Sequence, residues 1–277
     1  MRKFYVCCIL AVGLLAMTQK IMAGNTVKRI LAVGNSFSRD AVEQNLWDLA
    51  HANGEECIVA NLYIGGCPID LHVANARSDS AAYEYRKIGI DGVRRQTDGK
   101  RLDEALREEP WDVVTVQQVS WASGLPTTYG LLPELVDYIR ARVPSSTKIM
   151  FHQTWSYAQD SDHSGFKNYD NNQITMYKAI VDCAQQASED CRLQGIIPAG
   201  TAIQLARSTA LGDHLNLDGF HLNTLGRYVA ACTWYEYLFG KNVKGNRYAP
   251  SELDKKQKKL AQRSAHKACR RYRGCFK

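Results

Sequence analysis

Residues 30–50 read ILAVGNSFSRDAVEQNLWDLA. The first four are apolar without a break, as in a strand covered on both faces. Further on, Val42, Leu46, Leu49 and Ala50 fall on one face of a helix. Between the two stand Gly34, Asn35 and Ser36, which put a small hydroxyl at the tip of the strand and the mouth of the helix. In an open parallel sheet, ligands bind in the crevice beyond the carboxyl ends of the strands. A serine placed there can cap the helix or stand exposed as a nucleophile. The rest of the chain has to decide.

Apolar runs alternate with amphipathic segments along the whole sequence. That alternation predicts a three-layer α/β/α sandwich around a flavodoxin-like parallel sheet of about five strands. Strands are expected at Arg29–Val33 and Glu56–Tyr63, then within WDVVTVQQ (111–118), KIMFHQTW (148–155) and LQGIIPAG (193–200). Helices are expected at Leu102–Arg107, Tyr129–Val143, Gln173–Ala187, Thr201–Thr209 and Thr224–Phe239. Residues 82–96, AYEYRKIGIDGVRRQ, alternate like an exposed hairpin with Asp91-Gly92 as its turn. There is no internal repeat and no linker, so residues 24–277 read as one domain whose residues 245–277 form a basic helical tail.

The first residues belong to a different class. Arg2 and Lys3 precede an apolar run from Phe4 to Met17, with a cleavage site before Gly24, so residues 1–23 read as a secretory signal peptide. The mature chain is then exported, periplasmic or secreted, and has no membrane span once the leader is cut. Of nine cysteines, two lie in the leader, leaving Cys57, Cys67, Cys183, Cys191, Cys232, Cys269 and Cys275. Cys183 with Cys191, and Cys269 with Cys275, are close enough in sequence to bridge; Cys232 reads as a small core residue. Residues 241–277 hold thirteen Lys or Arg against two Asp or Glu, net +11, leaving −4 on residues 1–240. Such a tail is either a solvated helix or an adhesive face for an anionic surface. No cysteine or histidine spacing suits a metal, and no glycine loop cradles a phosphate, so no cofactor, metal or nucleic-acid partner is expected.

The strand exits collect Asn35-Ser36, Gly65-Gly66, Gln117-Gln118 and the run His152, Gln153, Thr154, Trp155; the last connecting loop adds Asp218 and His221. These are the residue types that acyl transfer needs: a hydroxyl, an imidazole to take its proton, a carboxylate to orient the imidazole, and donors for an oxyanion. Asp218 and His221 are three apart on a loop entering a helix, a spacing that lets the carboxylate accept from Nδ1 and leaves Nε2 facing Ser36. Gly226 lets that helix pack closely beneath the loop. Trp155 is a candidate wall of the substrate pocket, with His152 and Asn35 beside it. His214 is an alternative base, but no carboxylate stands three residues before it.

VGNSFS (33–38) resembles the first block of the SGNH, or GDSL-type, hydrolases, and DGFHLNTLGRY (218–228) resembles their last. More narrowly, the chain resembles an uncharacterised branch of that superfamily, a domain of unknown function in exported bacterial proteins. The resemblance implies Ser36 as nucleophile, His221 as base and Asp218 as its orienter. It also implies oxyanion donors at the amides of Ser36 and of Gly65 or Gly66. The sequence departs from the pattern twice. Asn35 replaces the usual aspartate, and VQQVS stands where G-x-N-D is expected. A glutamine amide can donate as an asparagine does, so Gln117 or Gln118 is expected to supply the third contact. Strand alternation sends the two to opposite sides, and analogy with a sialate-esterase-like branch favours Gln117.

The expected function is therefore serine-dependent hydrolysis of a carboxylic ester, with removal of O-acetyl groups from carbohydrate as the leading reading. A lipolytic esterase or thioesterase on the same triad is one rival. A non-catalytic exported protein that binds glycans or polyanions is the other.

Overall fold

The computed structural model describes residues 27–272; residues 1–23, where a leader is expected, and Cys275 lie outside the described residues. A seven-stranded sheet runs in the order β4-β3-β2-β1-β5-β6-β7. Its strands are β1 Lys28–Gly34, β2 Cys57–Tyr63, β3 Tyr83–Ile88, β4 Arg94–Lys100, β5 Val113–Val116, β6 Lys148–His152 and β7 Ile196–Ile197. The five strands β2, β1, β5, β6 and β7 are mutually parallel, in the flavodoxin-like order. The count differs from five because the hairpin does not stand apart. Its first strand, β3, pairs antiparallel with β2, and β4 pairs with β3. Gly92, at φ +72°, makes the turn. Pairing along β2 satisfies backbone groups that the sheet edge would otherwise leave open.

Nine α-helices are described: α1 Ser36–Val42, α2 Leu46–His51, α3 Ile69–Ser78, α4 Leu102–Glu108, α5 Leu132–Arg140, α6 Gln173–Asp190, α7 Ala199–Arg207, α8 Thr224–Phe239 and α9 Lys255–Tyr272. Strand alternation divides the interior into two cores. Ile30 and Ala32 of β1 enter one, packed against α1, α2, α7 and α8. Leu31 and Val33 enter the other, with α3, α4 and α5. Both cores are apolar, which is why β1 shows no polar alternation in sequence. The third predicted parallel strand ends at Val116, the fourth at His152, and the fifth is only two residues long.

The terminal helix corrects the picture of a solvated tail. α9 packs on α8 and α7 through Ala261, Ala265, Ala268 and Cys269, residues small enough for close approach. Gln262 Nε2 donates to Tyr228 Oη at 3.1 Å, and Gln153 Nε2 donates to Tyr272 Oη at 2.6 Å, joining the helix to the exit of β6. Cys183 and Cys191 are buried free thiols, so the bridge expected between them is absent. They stand eight residues apart, Cys183 within α6 and Cys191 at its end. That separation is about 12 Å of helical rise, twice what a disulfide spans. Cys232 is a core residue, as its position predicts.

Candidate active site

The tip of β1 settles which residue caps the helix. Asn35 does: its Oδ1 accepts from Phe37 N–H at 3.1 Å, and Ser36 becomes the first residue of α1. Among the described residues no group hydrogen-bonds Ser36 Oγ, and the side chain is partly exposed. Gly34 makes the arrangement possible. A Cβ there would stand 2.5 Å from Ser38 Oγ and 3.0 Å from Gln117 Cδ.

Asp218 and His221 are locked by three bonds. His221 Nδ1 donates to Asp218 Oδ2 at 2.7 Å, and Asp218 Oδ1 accepts from His221 N–H at 2.7 Å and Phe220 N–H at 3.2 Å. Partial burial would raise the Asp218 pKa, but the hydrogen bonds from His221 and the two amides outweigh it and hold the carboxyl below its ordinary value. Nδ1–H is fixed, so Nε2 is left as the acceptor. Beneath the loop, a Cβ on Gly226 would meet Leu215 O at 2.5 Å, which confirms the close packing expected there. His214 is exposed, and its carbonyl rather than its ring is engaged, by Asn223.

The serine helix and the histidine loop are tied by a residue that sequence reasoning missed. Asp40, fully buried on α1, accepts from Leu222 N–H at 2.8 Å and from Arg227 Nε at 3.0 Å. Burial holds its carboxyl above the ordinary value, against the pull of Arg227 and the Leu222 amide. The Phe37 ring lies 6.3 Å from the His221 imidazole across the same junction. The available signal was spacing: Asp40 is four residues after Ser36, on the same helix face.

The remaining strand exits divide. Residues 64–67 form a turn closed by Cys67 N–H donating to Ile64 O at 3.2 Å, with Gly66 at φ +65°. Gly65 and Gly66 are exposed, and no described group accepts from their amides. Asn35 Nδ2 donates to Cys67 O at 3.0 Å, which fixes this turn beside Ser36. Gln117 and Gln118 do point to opposite sides. Gln118 Oε1 accepts from Ile69 N–H at 3.1 Å and Val119 N–H at 2.8 Å, while Nε2 donates to Thr128. Both ends of the Gln118 amide are therefore engaged. Gln117 Nε2 donates to Asn35 Oδ1 at 2.8 Å, and its Oε1 accepts from His152 Nδ1–H at 2.7 Å. One of its amide hydrogens is left over.

Asn35, His152 and Trp155 do not line an open pocket. Asn35 is buried, and its side chain is engaged in capping and in holding the 64–67 turn. His152 is buried edge-on to Trp234, with ring centroids 5.0 Å apart, and burial pushes its pKa down to about 3. Trp155 stacks on Phe37 at 4.2 Å and donates its indole N–H to Phe220 O at 2.8 Å. Both side chains are 0% exposed, because β6 ends at His152 and the chain then passes beneath the loop that carries Asp218 and His221. Trp155 supports that loop from below. Gln153 and Tyr157 are buried with them, and Trp121 alone of the strand-exit aromatics is exposed, at 39%.

The family DUF4886, described as a domain of unknown function, matches residues 29–268. A DUF4886 protein from Bacteroides uniformis is 49% identical and superposes with a TM-score of 0.87, covering 88% of this chain and 95% of its own. A Slackia heliotrinireducens protein assigned to the SGNH hydrolases is 18% identical, with a TM-score of 0.51 over 77% of this chain and all of its own. An acetylxylan esterase from Geobacillus stearothermophilus is 12% identical, with a TM-score of 0.50 over 81% of this chain and 97% of its own. No curated protein matches the chain. At these identities the last two structures speak for the fold alone, and that fold is the one SGNH hydrolases share.

Proposed function

The chain belongs to the DUF4886 family, built on the SGNH hydrolase fold, and we propose that it is a serine-dependent carboxylic ester hydrolase that removes O-acetyl groups from carbohydrate. One observation carries the reading: Asn35 caps α1, so Ser36 is left free, while Asp218 locks His221 in the tautomer a general base needs. His221 Nε2 takes the proton as Ser36 Oγ bonds to the acyl carbon. The carbonyl oxygen becomes an oxyanion, received by the amides of Ser36 and of Gly65 or Gly66 and by the remaining hydrogen of Gln117. Collapse expels the alcohol, which His221 protonates, and water then releases the acid by the same route. Asp218 stabilises the imidazolium in both steps.

The substrate class rests on the rim, where Trp121 offers an exposed indole of the kind on which sugar rings stack. A small acyl pocket beside the 64–67 turn would admit acetyl; each methylene that does not fit costs about 1–3 kcal/mol of discrimination. The test is acetate release from acetylated oligosaccharides, together with a chromogenic ester series. Activity should fall steeply from acetate to butyrate. A preference for octanoate would replace this reading with a lipolytic or thioesterase one. The leader-like residues 1–23 support export. Among the described residues no helix is long and apolar enough to cross a membrane.

A second reading concerns α9. Its outer face exposes Lys256, Lys259, Arg263, Lys267 and Arg270, and among the described residues no acidic side chain pairs with them. This face supports contact with an anionic surface. Retention on an anionic polymer should weaken sharply with salt, since exposed charges are screened over about 8–10 Å.

A further inference from the structure

The triad uses one imidazole, and a second lies beside it. The loop that leaves β6 is seated on the catalytic loop: Ala158 N–H donates to Gly219 O at 2.7 Å, and a Cβ on Gly219 would stand 2.8 Å from Ser161 Oγ. His163 follows on that loop, half-buried. Its ring packs edge-on to Phe220 with centroids 4.9 Å apart, and Phe220 meets His221 at 4.2 Å. His163 Nδ1 accepts from Gly165 N–H at 3.0 Å, so the neutral ring carries its proton on Nε2. No described group accepts from that Nε2. Partial burial lowers the His163 pKa; Asp162 and Asp218 pull it up and His221 adds to the fall, with the net shift downward. At neutral pH the ring is an uncharged donor beside the site.

Trp121 adjoins it. A Cβ on Gly165 would stand 2.4 Å from Trp121 Cβ, so the indole-bearing turn and the His163 loop touch where only glycine fits. Tyr169 Oη donates to Trp121 O at 3.0 Å and fixes that turn, while the indole itself stays exposed. A rigid aromatic face next to a neutral donor with no partner among the described residues is a pairing that suits a sugar: the ring offers an apolar face, and its oxygens accept hydrogen bonds.

Resting on the reading of Ser36 as the ester-cleaving nucleophile, we propose that Trp121 and His163 form the subsite for the alcohol half of the substrate. A sugar ring stacks on the indole, and one of its oxygens accepts from His163 Nε2–H. Neither residue takes part in the acyl chemistry, so their loss should discriminate between alcohols and not between acyl groups.

The experiment compares the full chain with Trp121→Ala, His163→Ala and His163→Gln on an acetylated xylo-oligosaccharide and on vinyl acetate, whose alcohol is too small to reach the subsite. Each alanine variant should lower kcat/KM for the oligosaccharide by about tenfold, mainly through KM, and leave vinyl acetate within about twofold. His163→Gln, which keeps an N–H donor at the end of its side chain, should recover part of the loss. Equal losses on both esters, or no loss on the oligosaccharide, overturn the subsite. A chain that cleaves vinyl acetate but no acetylated sugar overturns the sugar class and the subsite with it. Inertness of the unaltered chain toward both esters overturns the hydrolase reading itself.

Discussion

Asp40 is the joint between the serine helix and the histidine loop, and its removal gives a quantitative test. Asp40→Ala deletes the acceptor of Leu222 N–H at 2.8 Å and of Arg227 Nε at 3.0 Å. Hydrogen bonds to a charged group are each worth about 1.5–3 kcal/mol, and breaking a fully buried pair costs about 3–5 kcal/mol. Arg227 keeps a quarter of its side chain in solvent and can rehydrate, and the buried carboxylate's own desolvation cost is relieved. The lower end, about 3 kcal/mol, is therefore expected. Urea titration at pH 7 reads it directly. Because the loop carrying His221 loosens relative to Ser36, kcat on a small acetate ester should fall by about 10²-fold with KM nearly unchanged. Arg227→Ala should cost at least as much, because it strands the fully buried Asp40 carboxylate without its counter-charge, and the double variant should show about 1–3 kcal/mol of coupling. A loss below about 0.5 kcal/mol, as surface substitutions give, would refute the role assigned to Asp40.

The other predictions concern the strand exits and acid stability. Gln117→Ala should lower kcat by about 10²-fold or more, since it removes an oxyanion donor and the anchor of Asn35. Gln118→Ala should leave kcat alone but destabilise the fold by about 1–3 kcal/mol, because Ile69 and Val119 N–H lose their acceptor; a reversed pattern would contradict the side-chain directions. Ser36→Ala and His221→Ala should each cost roughly 10³-fold or more in kcat, and the double variant little beyond either, whereas multiplied losses would mean that they do not act as a unit. His152 and His72 are buried neutral, with pKa values lowered by burial from 6.5 to about 3 and about 4. The unfolded chain therefore binds more protons below pH 6.5. The stability they contribute is full above that pH and is lost as pH falls toward 3–4, at up to about 1.4 kcal/mol per unit for each. Asp40, whose pKa is raised, acts in the opposite sense at lower pH. Urea midpoints that stay flat between pH 6.5 and 5 would contradict this.

The parallel strands, their order and the helix Thr224–Phe239 are legible in sequence, because apolar runs and helical periods record burial directly. The hairpin is legible as a hairpin, but not as an edge of the sheet: backbone pairing with β2 leaves no trace in side-chain pattern. The Asp218–His221 bond could be read because it is local. The Asp40–Arg227 tie could not, since its partners are 187 residues apart. Trp155 and His152 mislead for a related reason. A strand exit gives the position of a side chain but not its depth, and depth is set here by the loop that carries Asp218 and His221 folding over the chain after His152. His163 is silent in sequence, a single histidine in a polar loop, and gains meaning only where that loop seats on Gly219. The packing of α9 escapes a charge count because its buried face is alanine and its charge lies on the other side.

The central claim is that Ser36 is a nucleophile activated by His221. The most direct measurement is treatment of the full chain with a fluorophosphonate, followed by mass mapping of the modified peptide. The account predicts one adduct, on Ser36, absent in Ser36→Ala and strongly slowed in His221→Ala. An adduct on another residue, or labelling that proceeds unchanged in the His221 variant, would contradict it.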